Sequence, residues 1–137
     1  MAARLHAAAV HLSRRLRVED EARGISGPRL SALSVLASSG PMRIGELAQV
    51  EQVEPPTMTR LVDAMERDGH VTREPDPTDK RAVVLRVTGK GRRTLRDHRD
   101  QRVAVLAGGV RTLSPAQRAA LAKGIGVLEG MLRGARR

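Results

Sequence analysis

Proline placement constrains this chain more than any other single feature. A proline has no backbone N–H and a fixed φ, so it is confined to first helical turns, loops and strand edges. The seven here stand at positions 28, 41, 55, 56, 75, 77 and 115, and none falls inside a run of apolar residues at helical period. They divide the chain into segments that can be read in order. Residues 2–22 carry Leu5, Ala9, Leu12 and Leu16 at spacings of four, three and four, which predicts an amphipathic helix closed by Gly24. Ser26 or Gly27 then caps a second helix with Pro28 in its first turn, Leu30, Leu33, Leu36 and Ala37 on its inner side, and Gly40-Pro41 as its stop.

Residues 44–51 form a short third helix with Ile44, Leu47 and Ala48 inward. A turn at Gln52-Val53-Glu54 leads to Pro55-Pro56 and a fourth helix, 55–68, capped by Gly69. Met58, Leu61, Val62 and Met65 make its apolar face, with Val53 placed as a staple before it. The period then shortens to two: Val83, Leu85 and Val87 alternate with Val84 and Arg86, and Val71 and Arg73 suggest a short partner strand. The polar stretch from Glu74 to Lys80 joins them, so this region reads as a β-hairpin with a protruding tip. Thr88 caps a fifth helix over about 89–109. Ser114-Pro115-Ala116-Gln117 starts a sixth, with Leu121, Ile125, Leu128 and Leu132 repeating the spacing of the first. The fold class is mainly α with one small β-hairpin.

Composition removes several functions. The 137 residues contain no Cys, Phe, Tyr or Trp. Thiol catalysis, thiol redox sensing, disulfides and thiolate-bound zinc are therefore excluded, as are an aromatic stacking platform for single strands and an aromatic cage for cations. His6, His11, His70 and His98 are scattered without ligand spacing, and neither a Walker-type phosphate loop nor a catalytic constellation occurs. The expectation is no metal, no cofactor and no enzyme activity. No apolar run approaches the roughly 20 residues of a membrane span, and no leader-type segment opens the chain, so a cytoplasmic location is expected, nucleoid-associated when DNA-bound.

The net charge of +10 points to a polyanion, but it is unevenly spread. Residues 1–40 carry +3, residues 41–69 carry −3, residues 70–100 carry +4 and residues 101–137 carry +6. The acidic segment is the short helix, tight turn and longer helix that together have helix-turn-helix layout. With the core direction of the second helix set by residues 58, 61, 62 and 65, Pro56, Arg60, Asp63 and Arg67 point outward at 100° per residue, flanked by Thr57 and Thr59. Arg can bond guanine O6 and N7, and Thr offers a hydroxyl and a methyl, so Thr57, Thr59 and Arg60 suit a major groove. A solvated face on a core helix would look similar. The hairpin favours the DNA reading: its loop carries Lys80 and Arg81, which can lie along a backbone and enter a minor groove, and Asp79 stands close enough to hold the Arg81 guanidinium in a salt bridge.

Several short motifs recur together: Gly45-Glu46-Leu47-Ala48; Pro55-Pro56-Thr57-Met58-Thr59-Arg60-Leu61-Val62; Asp68-Gly69-His70-Val71; Asp76-Pro77-Thr78-Asp79-Lys80-Arg81; and Val87-Thr88 before a helix. As a set they resemble the MarR family of winged helix-turn-helix transcriptional regulators. Asp79-Lys80-Arg81, five residues, then Val87-Thr88 keeps the spacing of that family's wing signature, with Val in place of Leu. The resemblance implies one unit over 1–137, with a winged helix-turn-helix lobe at 26–88 and helical dimerisation regions at 1–24 and 89–137. It implies a homodimer on a pseudo-palindromic operator, probing successive major grooves with helix 55–68 and minor grooves with wing 72–86. Pro56, Thr57, Thr59 and Arg60 are then the major-groove set, Arg81 the minor-groove residue, Asp79 its orienter and Lys80 a phosphate contact. Repression is the implied sense, relieved by a small-molecule effector of unknown identity. Two residues depart from the family pattern: Arg43 replaces a Ser or Thr helix cap, and Glu54 replaces a Ser before the recognition helix, where its charge opposes phosphate.

The leucine stripes bear on assembly. Leu5, Leu12 and Leu16 with Leu121, Ile125, Leu128 and Leu132 are the candidate dimerisation residues; packing of the first helix on the sixth within one chain is the alternative. Gly126, Gly130 and Gly134, four residues apart, would permit close helix approach. Two other functional classes stay open on the residues alone: a nonspecific architectural nucleic-acid-binding protein held by charge, and a helical interaction module without nucleic acid.

Overall fold

The computed structural model describes residues 1–21 and 24–134. Ala22, the last residue of the expected first helix, and Ala135 to Arg137 of the expected C-terminal region lie outside the described residues. The order is α1 (Ala2–Glu21), α2 (Gly27–Ser39), β1 (Met42–Arg43), α3 (Ile44–Glu51), α4 (Pro55–Arg67), β2 (Val71–Pro75), β3 (Val83–Val87), α5 (Gly89–Arg111) and α6 (Pro115–Gly134). The chain divides into two compact units, Met1–Asp100 and Gln101–Arg137.

In the first unit the expected hairpin gains a third strand. The antiparallel order is β1-β3-β2, with Met42 opposite Leu85 and Arg43 opposite Val84 on one side of β3, and Val71 opposite Val87 and Arg73 opposite Leu85 on the other. The two residues of β1 carry no readable period, so only their pairing reveals them as a strand. Being central also changes the burial of β3. Val83 is exposed and Val84 is buried, the reverse of the simple alternation, because Val84 is flanked by Arg43 and Glu74.

The core is aliphatic and thioether throughout. Ala32, Leu33 and Leu36 of α2, Leu47 and Ala48 of α3, and Met58, Val62 and Met65 of α4 close on Val71, Leu85 and Val87 of the sheet. Met42, Ile44, Val53, Leu61 and Leu95 are partly buried and pack around that cluster. Ala37, expected inside, is exposed, and Ala32 is buried instead. The buried stripe of α2 lies one flank over because α3, α4 and β3 all pack on it from that side.

Local capping joins these elements. Helix α4 ends in a Schellman motif: the His70 N–H donates to Met65 O at 2.8 Å and the Gly69 N–H to Glu66 O at 2.9 Å, with Gly69 at φ +73°. The Thr88 hydroxyl accepts the Gly91 N–H at 3.0 Å, capping α5, and donates to Gly69 O at 2.7 Å. Helix α5 thereby sits so close to the α4–β2 junction that a Cβ on Gly91 would lie 2.3 Å from His70 O. The α6 start is a reciprocal capping box, Gln117 N–H to Ser114 Oγ at 3.2 Å and Ser114 N–H to Gln117 Oε1 at 2.9 Å.

In the second unit, by itself, α6 has no buried residue: Leu121, Ile125 and Leu132 are exposed and Leu128 is half-buried. Among the described residues, a Cβ at Gly126, Gly130 or Gly134 would meet nothing within 4 Å. On α1, Leu5 and Leu12 are likewise exposed and Leu16 half-buried. No helix among the described residues is long and apolar enough to cross a membrane.

Two outcomes follow from the junction. Gly91→Ala forces a methyl against the His70 carbonyl and Val87, and should destabilise the lobe by roughly 1–3 kcal/mol in urea or thermal unfolding. His70 is buried, its Nδ1 has no hydrogen-bond partner among the described residues, and burial, then Lys90, lowers its pKa, while Asp68 opposes. The unfolded chain therefore binds more protons, and stability is lost as pH falls through the ordinary value of 6.5 toward the lower folded one. His70→Leu should flatten that acid-side loss in melting curves taken between about pH 7 and 5; an unchanged pH profile would refute the assignment.

Candidate nucleic-acid interface

Helix α4 positions the first set of candidates. Its inward side chains Met58, Val62 and Met65 have no solvent exposure, which fixes its rotation about its own axis. Pro56, Thr57, Thr59 and Arg60 consequently stand on its exposed side, in the first two turns. Arg60 has no hydrogen bond or ion pair among the described residues. The Thr59 hydroxyl donates back to Pro55 O at 3.0 Å, so toward a ligand it presents its oxygen as an acceptor and its methyl. The Thr57 and Met58 N–H groups are both directed at Glu54 O, and the Glu54 carboxylate makes no cap bond and is exposed at the helix start.

The second set lies on the β2–β3 loop. Asp76 N–H donates to Ala82 O at 2.9 Å and Ala82 N–H to Asp79 O at 2.9 Å, closing a compact tip. Lys80 and Arg81 project from it, exposed and without ion pairs among the described residues. Asp79 does stand beside Arg81 but not as the sequence suggests. Its Oδ1 accepts the Arg81 backbone N–H at 3.0 Å, and its Oδ2 faces Arg43 at 3.5 Å. It fixes the main chain beneath Arg81 and leaves the guanidinium free.

The acidity of the helix-turn-helix segment has a structural answer. Of its six acids, three are paired by arginines from outside it. Arg73 of β2 bonds Asp63 at 2.6 Å and also bonds Glu66, and Arg29 of α2 bonds Asp68 at 2.7 Å. Glu46 accepts the Arg43 N–H at 2.8 Å, and Glu51 accepts the Ser31 hydroxyl at 3.0 Å. Glu54 alone of the six has no such partner among the described residues. The pairs sit on the C-terminal half of α4, so they neutralise the helix away from its exposed N-terminal turns. The Arg73 bridge also ties the base of the hairpin to α4.

Sequence reasoning passed over three of these residues. Arg73 read only as a strand position. Arg43 read only as a poor cap, and no local signal in the sequence marks its reach to Asp76, thirty-three residues on. Asp76 is nine-tenths buried: its Oδ1 accepts the Thr78 N–H at 2.8 Å and the Thr78 hydroxyl at 2.7 Å, and its Oδ2 accepts Arg43 Nε at 3.1 Å and an Arg43 terminal nitrogen at 2.8 Å. The Thr78 bonds, then Arg43, hold this carboxyl far below the usual range. An Asp two residues before a Thr in a proline-marked loop is the visible signature of such a turn. Across the hairpin, Arg86 pairs Glu74 at 2.8 Å and lowers its pKa.

No group of three or more His, Cys, Asp or Glu among the described residues could hold a metal.

Comparisons with known proteins agree with this geometry. The MarR family model matches residues 25–83, the segment from the start of α2 to the start of β3. An HTH-type transcriptional regulator of Mycobacterium tuberculosis, MT0903.1, is 37% identical over 118 residues, covering 86% of this chain and 82% of the relative. The transcriptional regulator Tm0710 from Thermotoga maritima superposes with a TM-score of 0.83 at 28% identity, over 97% of this chain and 94% of that one. A mutant of MepR from Staphylococcus aureus, solved bound to an oligodeoxyribonucleotide, shares the fold with a TM-score of 0.76 at 17% identity, over 96% of this chain and 98% of that one. The exposed helix and basic hairpin occupy the places of the second helix and the wing in a winged helix-turn-helix fold, and the chain belongs to the MarR family of transcriptional regulators.

Proposed function

We propose that this regulator is a homodimer that reads a pseudo-palindromic DNA operator in duplex form. The observation that carries the reading is the distribution of unpaired charge. Among the described residues, Arg60 on the outer face of α4 and Lys80 and Arg81 on the wing tip carry no ion pair, while of the acids flanking them only Glu54 at the start of α4 is unpaired and those on its C-terminal half are bound to Arg73 and Arg29. In this reading Pro56, Thr57, Thr59 and Arg60 enter the major groove. Arg81 enters the flanking minor groove, Lys80 lies at a phosphate, and Asp79 steadies the backbone that carries Arg81. The DNA-bound MepR mutant, of the same fold, is consistent with it.

The lobe over residues 26–88 would read the duplex, and the helical regions 1–24 and 89–137 would join two copies. Leu5, Leu12, Leu121, Ile125 and Leu132 are exposed in the single chain, and with Leu16 and Leu128 they form stripes a second copy would cover. Repression follows where the operator overlaps a promoter, and a small-molecule effector would relieve it. Selection of bound sequences from a random duplex pool tests the function: an inverted repeat is expected, and recovery of no preferred sequence would leave a charge-held architectural role instead.

On the selected operator, Arg60→Ala and Arg81→Ala should each weaken binding by about 1–3 kcal/mol in a gel-shift titration, with melting temperature unchanged. Wild-type affinity for both variants would refute the site. Ile125→Glu combined with Leu128→Glu should shift the protein to a monomer by light scattering; a dimer that persists would place the subunit contact elsewhere.

A further inference from the structure

The side chain of Arg43 comes from β1, the strand that the sequence does not announce, and it reaches across to the wing. Its Nε and a terminal nitrogen converge on Asp76 Oδ2 at 3.1 and 2.8 Å, and the terminal nitrogen lies 3.5 Å from Asp79 Oδ2. The other oxygen of Asp79 holds the Arg81 N–H at 3.0 Å. A continuous run of contacts therefore joins the start of α3 to the residue that leads the wing. The side chain is partly exposed, its guanidinium meets Asp76 and Asp79, and these carboxylates, Asp76 above all, raise its pKa. An arginine so occupied is poorly placed to serve a phosphate, and a lysine could not make the same forked contact.

We propose that Arg43 is a positioning residue for the wing: by clamping Asp76 and Asp79 to β1 it sets the reach and direction of the loop 76–82, and so of Arg81, before DNA arrives. A preset arm avoids the ordering cost that a mobile loop would meet on binding. The proposal rests on the reading of Arg81 as a DNA contact only for its consequence on affinity; the clamp itself is a property of the free protein.

The test separates the two. Amide hydrogen exchange of the DNA-free protein should show Thr78, Arg81 and Ala82 exchanging at least about tenfold faster in Arg43→Ala, with α2 and α4 amides unchanged. Arg43→Lys, which keeps the charge but not the fork, should behave as Arg43→Ala does. Operator affinity should fall about 5- to 20-fold in Arg43→Ala, with no further fall when Arg43→Ala is added to Arg81→Ala and no change in salt slope. Unchanged loop exchange would overturn the proposal, as would full rescue by Arg43→Lys. Additive losses with a salt slope reduced by about one would also overturn it, since Arg43 would then be a phosphate contact itself. If Arg81→Ala binds as wild type while Arg43→Ala still loosens the loop, the clamp stands and the DNA role of the wing falls.

Discussion

The structure depends on the burial of one face of α4. Met58, Val62 and Met65 have no solvent exposure, and they meet α2, α3 and the sheet in one aliphatic cluster. In an interior packed to crystal-like density, three interdigitated side chains leave a helix no freedom to roll. The outward face is then determined by the 3.6-residue period alone. Thr57, Thr59 and Arg60 are presented because their neighbours are buried, so the core and the exposed face are two sides of one constraint. The core needs no aromatic residue because methionine, with its flexible thioether, fills the irregular space where three helices meet a short sheet.

Electrostatics adds a second layer of positioning. The arginines around α4 divide between structure and the outside. Among the described residues, Arg29, Arg43, Arg73 and Arg86 are engaged with carboxylates, whereas Arg60 and Arg81 are not. These bridges are partly exposed, and a partly exposed ion pair adds little to global stability. Their effect is directional: Arg73 joins the wing base to α4, and Arg43 joins the wing loop to β1. The net charge of the chain is a poor guide to the interface for this reason. Within the segment of formal charge −3, three of the six acids are paired by arginines from outside it, and Glu54 at the start of α4 is not.

What the sequence reveals follows the range of the interactions. Helix starts and stops are local, and Ser114 with Gln117, Thr88 with Gly91 and the Gly69 cap were all legible from residues a few positions apart. The outward face of α4 was legible too, because helical periodicity determines it. Non-local pairing was not. Strand β1 is two residues that acquire meaning only opposite Val84 and Leu85, some forty residues later, and that pairing reverses the burial of Val83 and Val84. The exchange of Ala37 for Ala32 has the same origin, since packing partners decide which edge of a leucine stripe is covered. Sequence proximity suggested that Asp79 holds the Arg81 side chain; in the fold Arg43 competes for that carboxylate, and Asp79 holds the backbone instead.

The central claim is that the buried face of α4 and the braced wing together present a sequence-reading surface to duplex DNA. The most direct test is the ratio of affinities, at physiological salt, for a selected operator and for a scrambled duplex of the same length and composition. The account predicts a preference of at least about 10³-fold for the operator. Equal affinity for the two duplexes, with a steep salt dependence for both, would contradict it.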